Sequence, residues 1–139
     1  MAGSAVSELD ADLRGRLEAL CEEGREIWDR FDHEVRSQDF HPFVAADYGQ
    51  VLEALAALRR PGLRFLEWGS ATGVITIMAD LLGFEAYGIE LDPALVETAR
   101  EMEARYGSGA RFAAGSLMRV ISSQFVPVRR PTTSGTSRE

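Results

Sequence analysis

The chain has 139 residues, of which 45% are hydrophobic and 27% are charged, and its net charge is −7. This size allows one domain with a substantial core, and the negative charge argues against a surface that binds nucleic acid or an anionic membrane. No stretch approaches the roughly 20 apolar residues that cross a bilayer, and the first residues lack the pattern of an export signal, so we expect a cytoplasmic location.

Two helices are predicted in the first 62 residues. Apolar residues from Leu9 to Val35 recur at steps close to 3.6 and share one face, although Gly15 and Gly24 weaken the helix and allow a break near either position. The face suits packing on the domain itself; a coiled-coil partner helix is the rival interpretation. After a turn at His41-Pro42, Asp47 is placed to begin a second helix.

From residue 63 the pattern changes to alternating strands and helices. Residues 63–68 form a short apolar run, a helix follows and ends at Gly83, and residues 85–89 suit a second strand. Asp92-Pro93 is typical of a helix start, Gly107 of its end, and residues 111–114 of a third strand. Right-handed crossovers between such strands give an α/β fold with a parallel sheet and flanking helices.

The organisation changes again after Ser116. Residues 117–139 hold two prolines, a Ser/Thr-rich end and four arginines against one acidic residue. This composition predicts a largely disordered tail. Three segments are therefore expected: a helical cover over 1–62, a βαβαβ unit over 63–116 and the tail over 117–139.

The turn after the first strand is the strongest functional signal. A Gly-rich turn between a strand and a helix lets backbone groups approach a nucleotide. A pyrophosphate-binding G-x-G-x-x-G/A motif fits poorly, because Val74 stands at its third glycine. Glu67 at the strand end would also repel a pyrophosphate, so an NAD-linked reductase is disfavoured.

A sulfonium nucleoside fits these residues better than a dinucleotide does. S-adenosylmethionine carries no phosphate, and Glu67 can attract its cationic end. Backbone groups of residues 69–73 can meet its carboxylate and ribose. Glu90, at the end of the second strand, can accept both ribose hydroxyl hydrogens. One ligand thus accounts for both acidic residues.

Residues 65–116 resemble the first half of a class I S-adenosylmethionine-dependent methyltransferase, which has a Rossmann-like fold. The family's first motif, an acid followed by G-x-G-x-G, is matched by Glu67 and residues 69–73, with Ala71 in place of the middle glycine. Glu90 matches the acid after the second strand, with Leu91 beside the adenine, and Ser116 stands where an Asp usually reaches the adenine. The resemblance implies these cofactor-binding residues: Glu67, Gly69, Ser70, Ala71, Gly73, Glu90, Leu91 and Ser116. Tyr48 could also line the pocket, although a core position is the simpler expectation.

The resemblance ends where the acceptor side of the family's seven-stranded sheet should begin. The chain supplies three strands and is interpreted as truncated after the third, so the methyl acceptor and any catalytic residue stay unknown. An open edge on the first strand would allow self-association. The alternative function is a non-catalytic, methyltransferase-like fragment or interaction module. No metal is expected, since His33 and His41 lack partners at ligand spacing and Cys21 is the single cysteine.

Overall fold

A computed structural model of the chain describes residues 3–35 and 46–116. The predicted turn at His41-Pro42 and the tail over 117–139 lie outside these ranges. No helix in the described ranges has the length and apolar character that crossing a membrane requires.

The secondary structure follows the predicted order. A short 3₁₀ helix, Val6–Glu8, precedes the elements of the main fold. These are α1 (Ala11–Val35), α2 (Tyr48–Leu58), β1 (Arg64–Trp68), α3 (Val74–Leu81), β2 (Glu85–Glu90), α4 (Pro93–Tyr106) and β3 (Arg111–Ala114).

The three strands form one parallel sheet in the order β1-β2-β3. Leu66 pairs with Tyr87, and Tyr87 in turn pairs with Arg111. Helix α3 connects β1 to β2 and α4 connects β2 to β3, so the predicted Rossmann-like α/β architecture is confirmed. Within the described residues β1 is an edge strand, and its carboxyl end lies beside that of β2.

Capping residues fix the helix boundaries. Asp47 accepts a hydrogen bond from the Gln50 amide at 3.1 Å, and Asp92 accepts one from the Ala94 amide at 2.9 Å. Both are N-caps, and Pro93 follows Asp92 at the first helical position. At the other end of α4, Gly107 adopts the left-handed conformation that commonly ends a helix. The starts of α2 and α4 and the end of α4 therefore stand where the sequence places them.

Helices α1 and α2 share one hydrophobic core with the βαβαβ unit. The buried side chains of this core include Leu17 and Leu20 from α1, Leu52 from α2, and Ile77 and Met78 from α3. Burial of such aliphatic side chains stabilises the fold by about 1.5–3 kcal/mol each. The amino-terminal helices are thus packed as part of the domain.

Helix α1 continues through both of its glycines without the break that the sequence allows. The reason at Gly24 is a close approach of neighbouring elements. A Cβ atom on Gly24 would lie 2.8 Å from Cε2 of Tyr48 and 3.0 Å from Cγ2 of Val74. At Gly15, by contrast, nothing lies within 4 Å of the position that a Cβ atom would take. Gly24 is therefore a contact point and Gly15 is not.

Alanine at these two glycines should change stability in opposite directions. Gly24→Ala should lower the free energy of unfolding by about 1–3 kcal/mol, because the rigid Tyr48 ring must move. Gly15→Ala, the matched control in the same helix, should raise it by about 0.5–1 kcal/mol through helix propensity. Urea unfolding of both variants tests this; a stabilised Gly24→Ala protein would contradict the close packing at Gly24.

Candidate functional site

A cavity of about 630 Å³ opens at the carboxyl ends of β1 and β2. Its size falls within the range of small-molecule sites. The strand ends and the turn after β1 form its floor, and α1, α2 and the start of α4 contribute to its walls. The described lining residues are Phe31, Ala46, Tyr48, Glu67, Trp68, Gly69, Ser70, Ala71, Thr72, Val74, Ile75, Ile89, Glu90, Leu91, Asp92, Leu95 and Gly115.

The turn between β1 and α3 has left-handed backbone conformations at alternate positions. The φ angles are 77° at Gly69, 48° at Ala71 and 85° at Gly73. Ala71 is the one non-glycine residue with positive φ in the described ranges. The alanine that replaces the family's middle glycine therefore takes a glycine-like conformation, at a cost of about 1–2 kcal/mol.

Most amides of this turn already donate to acceptors within the protein. The N–H groups of Gly69 and Ser70 donate to the Ile89 carbonyl at 2.8 and 2.9 Å. The N–H of Ala71 donates to Glu90 Oε2 at 2.8 Å, and that of Gly73 donates to the Ser70 carbonyl at 2.8 Å. A phosphate-binding loop instead directs its amides towards the anion. This turn is built differently from such a loop.

The Glu90 side chain connects the turn after β1 to the start of α4 through hydrogen bonds to both of its oxygens. Besides the bond from Ala71, its Oε1 accepts a hydrogen bond from the Asp92 amide at 3.2 Å. A carboxylate has about four lone-pair sites, so each oxygen keeps the capacity to accept from a ligand. The side chain is thus held at the cavity by two backbone bonds while acceptor positions remain.

The pKa of the Glu67 carboxyl group is strongly shifted at this site. Burial raises its pKa from 4.5 to about 7, and the charge of Glu90 acts in the same direction. Hydrogen bonding by the side chain and backbone of Thr76 lowers the pKa but does not offset the burial. The side-chain bond runs from Thr76 Oγ1 to Glu67 Oε2 at 2.9 Å. A carboxyl group that titrates near neutrality in a cavity is a frequent mark of a functional site.

The free energy of unfolding should depend on pH through Glu67. The folded state holds this proton up to about pH 7, whereas the unfolded chain releases it near pH 4.5. Stability from this group is therefore complete below about pH 4.5 and is lost as pH rises through about 7, by an amount on the order of 2–3 kcal/mol. Glu67→Gln should remove this loss, so the variant should be more stable than the unmodified protein at pH 8.

Denaturant titrations at pH 5 and pH 8 test this expectation. Glu18→Gln provides a control for the loss of one carboxylate, since Glu18 is exposed on α1 and is not among the described lining residues of the cavity. If the free energy of unfolding depends on pH equally in the Glu67→Gln variant and in the unmodified protein, Glu67 is not the source of that dependence.

The structure brings six of the eight predicted cofactor-binding residues to the cavity. They are Glu67, Gly69, Ser70, Ala71, Glu90 and Leu91. The other two, Gly73 and Ser116, are not among the described lining residues. Gly73 begins α3 and packs against Phe112 and Ala99, and Gly115 lines the cavity beside Ser116. Whether any of the eight binds a cofactor stays a prediction.

Several lining residues are not anticipated from the sequence. The sequence pattern places Phe31 only on the apolar face of α1 and Leu95 only on the core face of α4. Nothing in the pattern distinguishes Thr72 or Ile75 from ordinary turn and helix residues. Tyr48 fits both expectations, because it is 4% exposed and also lines the cavity. It lies on α2, outside the glycine turn, so no local signal marks it as part of the site.

No family model matches the chain. Its sequence is 41% identical over 66 residues to a ribosomal protein L11 methyltransferase from Thermus thermophilus, a match that covers 48% of this chain and 26% of that protein. The chain therefore spans about a quarter of the length of this curated relative.

Two solved structures share the fold at low sequence identity. The C-terminal domain of precorrin-6Y C5,15-methyltransferase from Rhodobacter capsulatus matches with a TM-score of 0.52 and 21% identity, over 63% of this chain and 48% of that one. A putative O-methyltransferase from Klebsiella pneumoniae matches with a TM-score of 0.51 and 22% identity, over 80% of this chain and 48% of that one. The described part of the chain therefore shares the Rossmann-like fold of these two methyltransferase structures, in agreement with the fold that the sequence predicts.

Proposed function

We propose that the chain binds S-adenosylmethionine in the cavity at the ends of β1 and β2 and contributes the cofactor half of a methyltransferase. The observation that carries this proposal is the charge of the cavity. Of its described lining residues three are acidic, namely Glu67, Glu90 and Asp92, and none is basic. Such a surface favours a cationic ligand and opposes a pyrophosphate.

The chemistry of the lining residues fits the parts of this cofactor. The Glu67 carboxylate would hold the cationic end, and Glu90 would accept from the ribose hydroxyl groups. Val74 and Ile75 lie in the first turn of α3, where amides lack partners within the helix and can meet a carboxylate. Leu91 and Leu95 offer apolar contact for a base.

The cofactor supplies a methyl group on a cationic sulfur, and positioning provides much of the catalysis in such a transfer. The residues of the cavity bind and orient the nucleoside, and the walls from α1 and α2 limit access of water. No residue is proposed to face the methyl acceptor, because the matched relative extends well beyond the region shared with this chain. The acceptor is therefore not assigned.

Calorimetry with S-adenosylhomocysteine and NADH in parallel tests the proposal. The sulfur nucleoside should bind with a measurable enthalpy, and NADH should not bind at the same concentrations. S-adenosylmethionine should bind at least as tightly as its demethylated product, because its sulfonium adds a positive charge to the ligand. Preference for NADH would overturn the proposal.

The alternative is a module that keeps this fold without turnover. In the described residues β1 is an edge strand, so the described part of the sheet contains no neighbour on the acceptor side. A folded protein that binds neither S-adenosylhomocysteine nor NADH would favour the alternative. Methylation of any acceptor would exclude it.

A further inference from the structure

Thr76 is the side chain that hydrogen-bonds to Glu67, one of the acidic residues lining the cavity. It is fully buried in the first turn of α3 and is not among the described lining residues. Its hydroxyl donates to Glu67 Oε2 at 2.9 Å. A threonine at this position can therefore act on a ligand only through Glu67.

Among the described residues, none of the ionisable side chains that interact directly with Glu67 is basic. On β2 its register partner is Gly88, which has no side chain. In the described ranges, the titratable groups that interact with Glu67 are Glu90 at the end of β2 and Tyr48 on α2, and Arg25 on α1 acts on Tyr48. Neither Glu90 nor the Tyr48 hydroxyl carries a positive charge that could hold the Glu67 carboxylate in its anionic form.

We propose that Thr76 is a positioning residue, whose hydroxyl fixes one oxygen of the Glu67 side chain and so aims the carboxylate at the cationic end of the cofactor. This inference rests on the proposed function. The hydroxyl donates to Oε2, and the backbone of Thr76 also hydrogen-bonds to this carboxyl group. A carboxylate has about four lone-pair sites, so it keeps the capacity to accept from a ligand as well. The first turn of a helix also favours a negative group there.

The role has a consequence for the pH dependence of binding. The pKa of Glu67 lies at about 7 because burial outweighs the hydrogen bonds from Thr76. A cationic ligand selects the ionised carboxylate, so affinity should rise with pH until Glu67 is ionised. Without the Thr76 hydroxyl, the carboxyl group should keep its proton to higher pH, and the midpoint of this rise should move upwards.

The test is the affinity for S-adenosylhomocysteine, whose ammonium group is retained, measured from about pH 5.5 to about pH 8. Thr76→Val keeps the shape and removes the hydroxyl, and Thr76→Ser restores it. At about pH 6.5 we expect Thr76→Val to weaken binding about tenfold, with a smaller loss at pH 8, since one charge-assisted hydrogen bond is removed. Thr76→Ser should follow the profile of the unmodified protein.

A second comparison separates this inference from the proposed function. In a Glu67→Gln protein the Thr76→Val change should leave the pH profile of binding unaltered, because no ionisable group is left for it to act on. If the unmodified protein binds the nucleoside but Thr76→Val shifts neither affinity nor midpoint, the positioning role is wrong while the proposed function stands. If the unmodified protein does not bind, the proposed function itself fails. Circular dichroism confirms that each variant is folded.

Discussion

Replacing Glu90 with alanine should weaken the binding of S-adenosylhomocysteine at least tenfold. Glu90 lines the cavity and accepts bonds from the amides of Ala71 and Asp92. Its remaining acceptor positions suit two ribose hydroxyl groups. A net contribution of about 1.5–3 kcal/mol for a hydrogen bond to a charged group corresponds to a tenfold loss or more. Calorimetry on the purified variant measures the effect.

Two further variants define the origin of that loss. Glu90→Gln retains one carbonyl acceptor and the size of the side chain, so its affinity should fall between those of the alanine variant and the unmodified protein. Glu97→Ala removes an exposed glutamate from the same helix that Glu90 precedes, and it should bind normally. Full affinity in Glu90→Ala would refute the site.

Alanine at Gly73 should cause the largest loss of stability. A Cβ atom there would lie 2.7 Å from Cζ of Phe112 and 2.8 Å from Cβ of Ala99, and the residue has φ of 85°. Overpacking of about 1–3 kcal/mol adds to left-handed strain of about 1–2 kcal/mol, so the free energy of unfolding should fall by about 2–5 kcal/mol. Thermal and urea unfolding provide the measurement.

Gly83→Ala is the matched control for the cost of placing alanine in a left-handed backbone conformation. Gly83 has φ of 101°, but nothing lies within 4 Å of a Cβ atom placed on it, so its variant should show strain without overpacking. Combining Gly73→Ala with Phe112→Leu should cost less than the sum of the two single changes, because the shortened side chain relieves the contact. If the two changes in the free energy of unfolding simply add, the contact with Phe112 is not the cause of the loss in Gly73→Ala.

Local chemistry makes the element boundaries predictable. Asp47 and Asp92 each cap a helix through a side chain that acts within three residues, and Gly107 ends α4 with a conformation that few other residues adopt. The two acidic residues at the strand ends are predictable for a related reason. Parallel strands bring their carboxyl ends to one edge, so Glu67 and Glu90 are expected at the same edge of the sheet.

Contacts between distant segments cannot be predicted in the same way. Gly24 weakens an isolated helix, yet Tyr48 and Val74 occupy the space that its missing side chain leaves. On α4 the 3.6-residue period does not separate Val96, which is 1% exposed, from its neighbour Leu95, which lines the cavity. These features depend on how elements pack, and one sequence does not encode that packing locally.

The hydrogen bonds within the glycine turn have a consequence for the thermodynamics of association. Because the amides of Gly69, Ser70 and Gly73 are tied to protein carbonyls, the loop holds its shape before any ligand arrives. A preorganised site loses little conformational entropy on complex formation. These amides should exchange slowly with deuterated solvent even in the free protein, as expected of a rigid receptor in which the ligand does not have to order the loop.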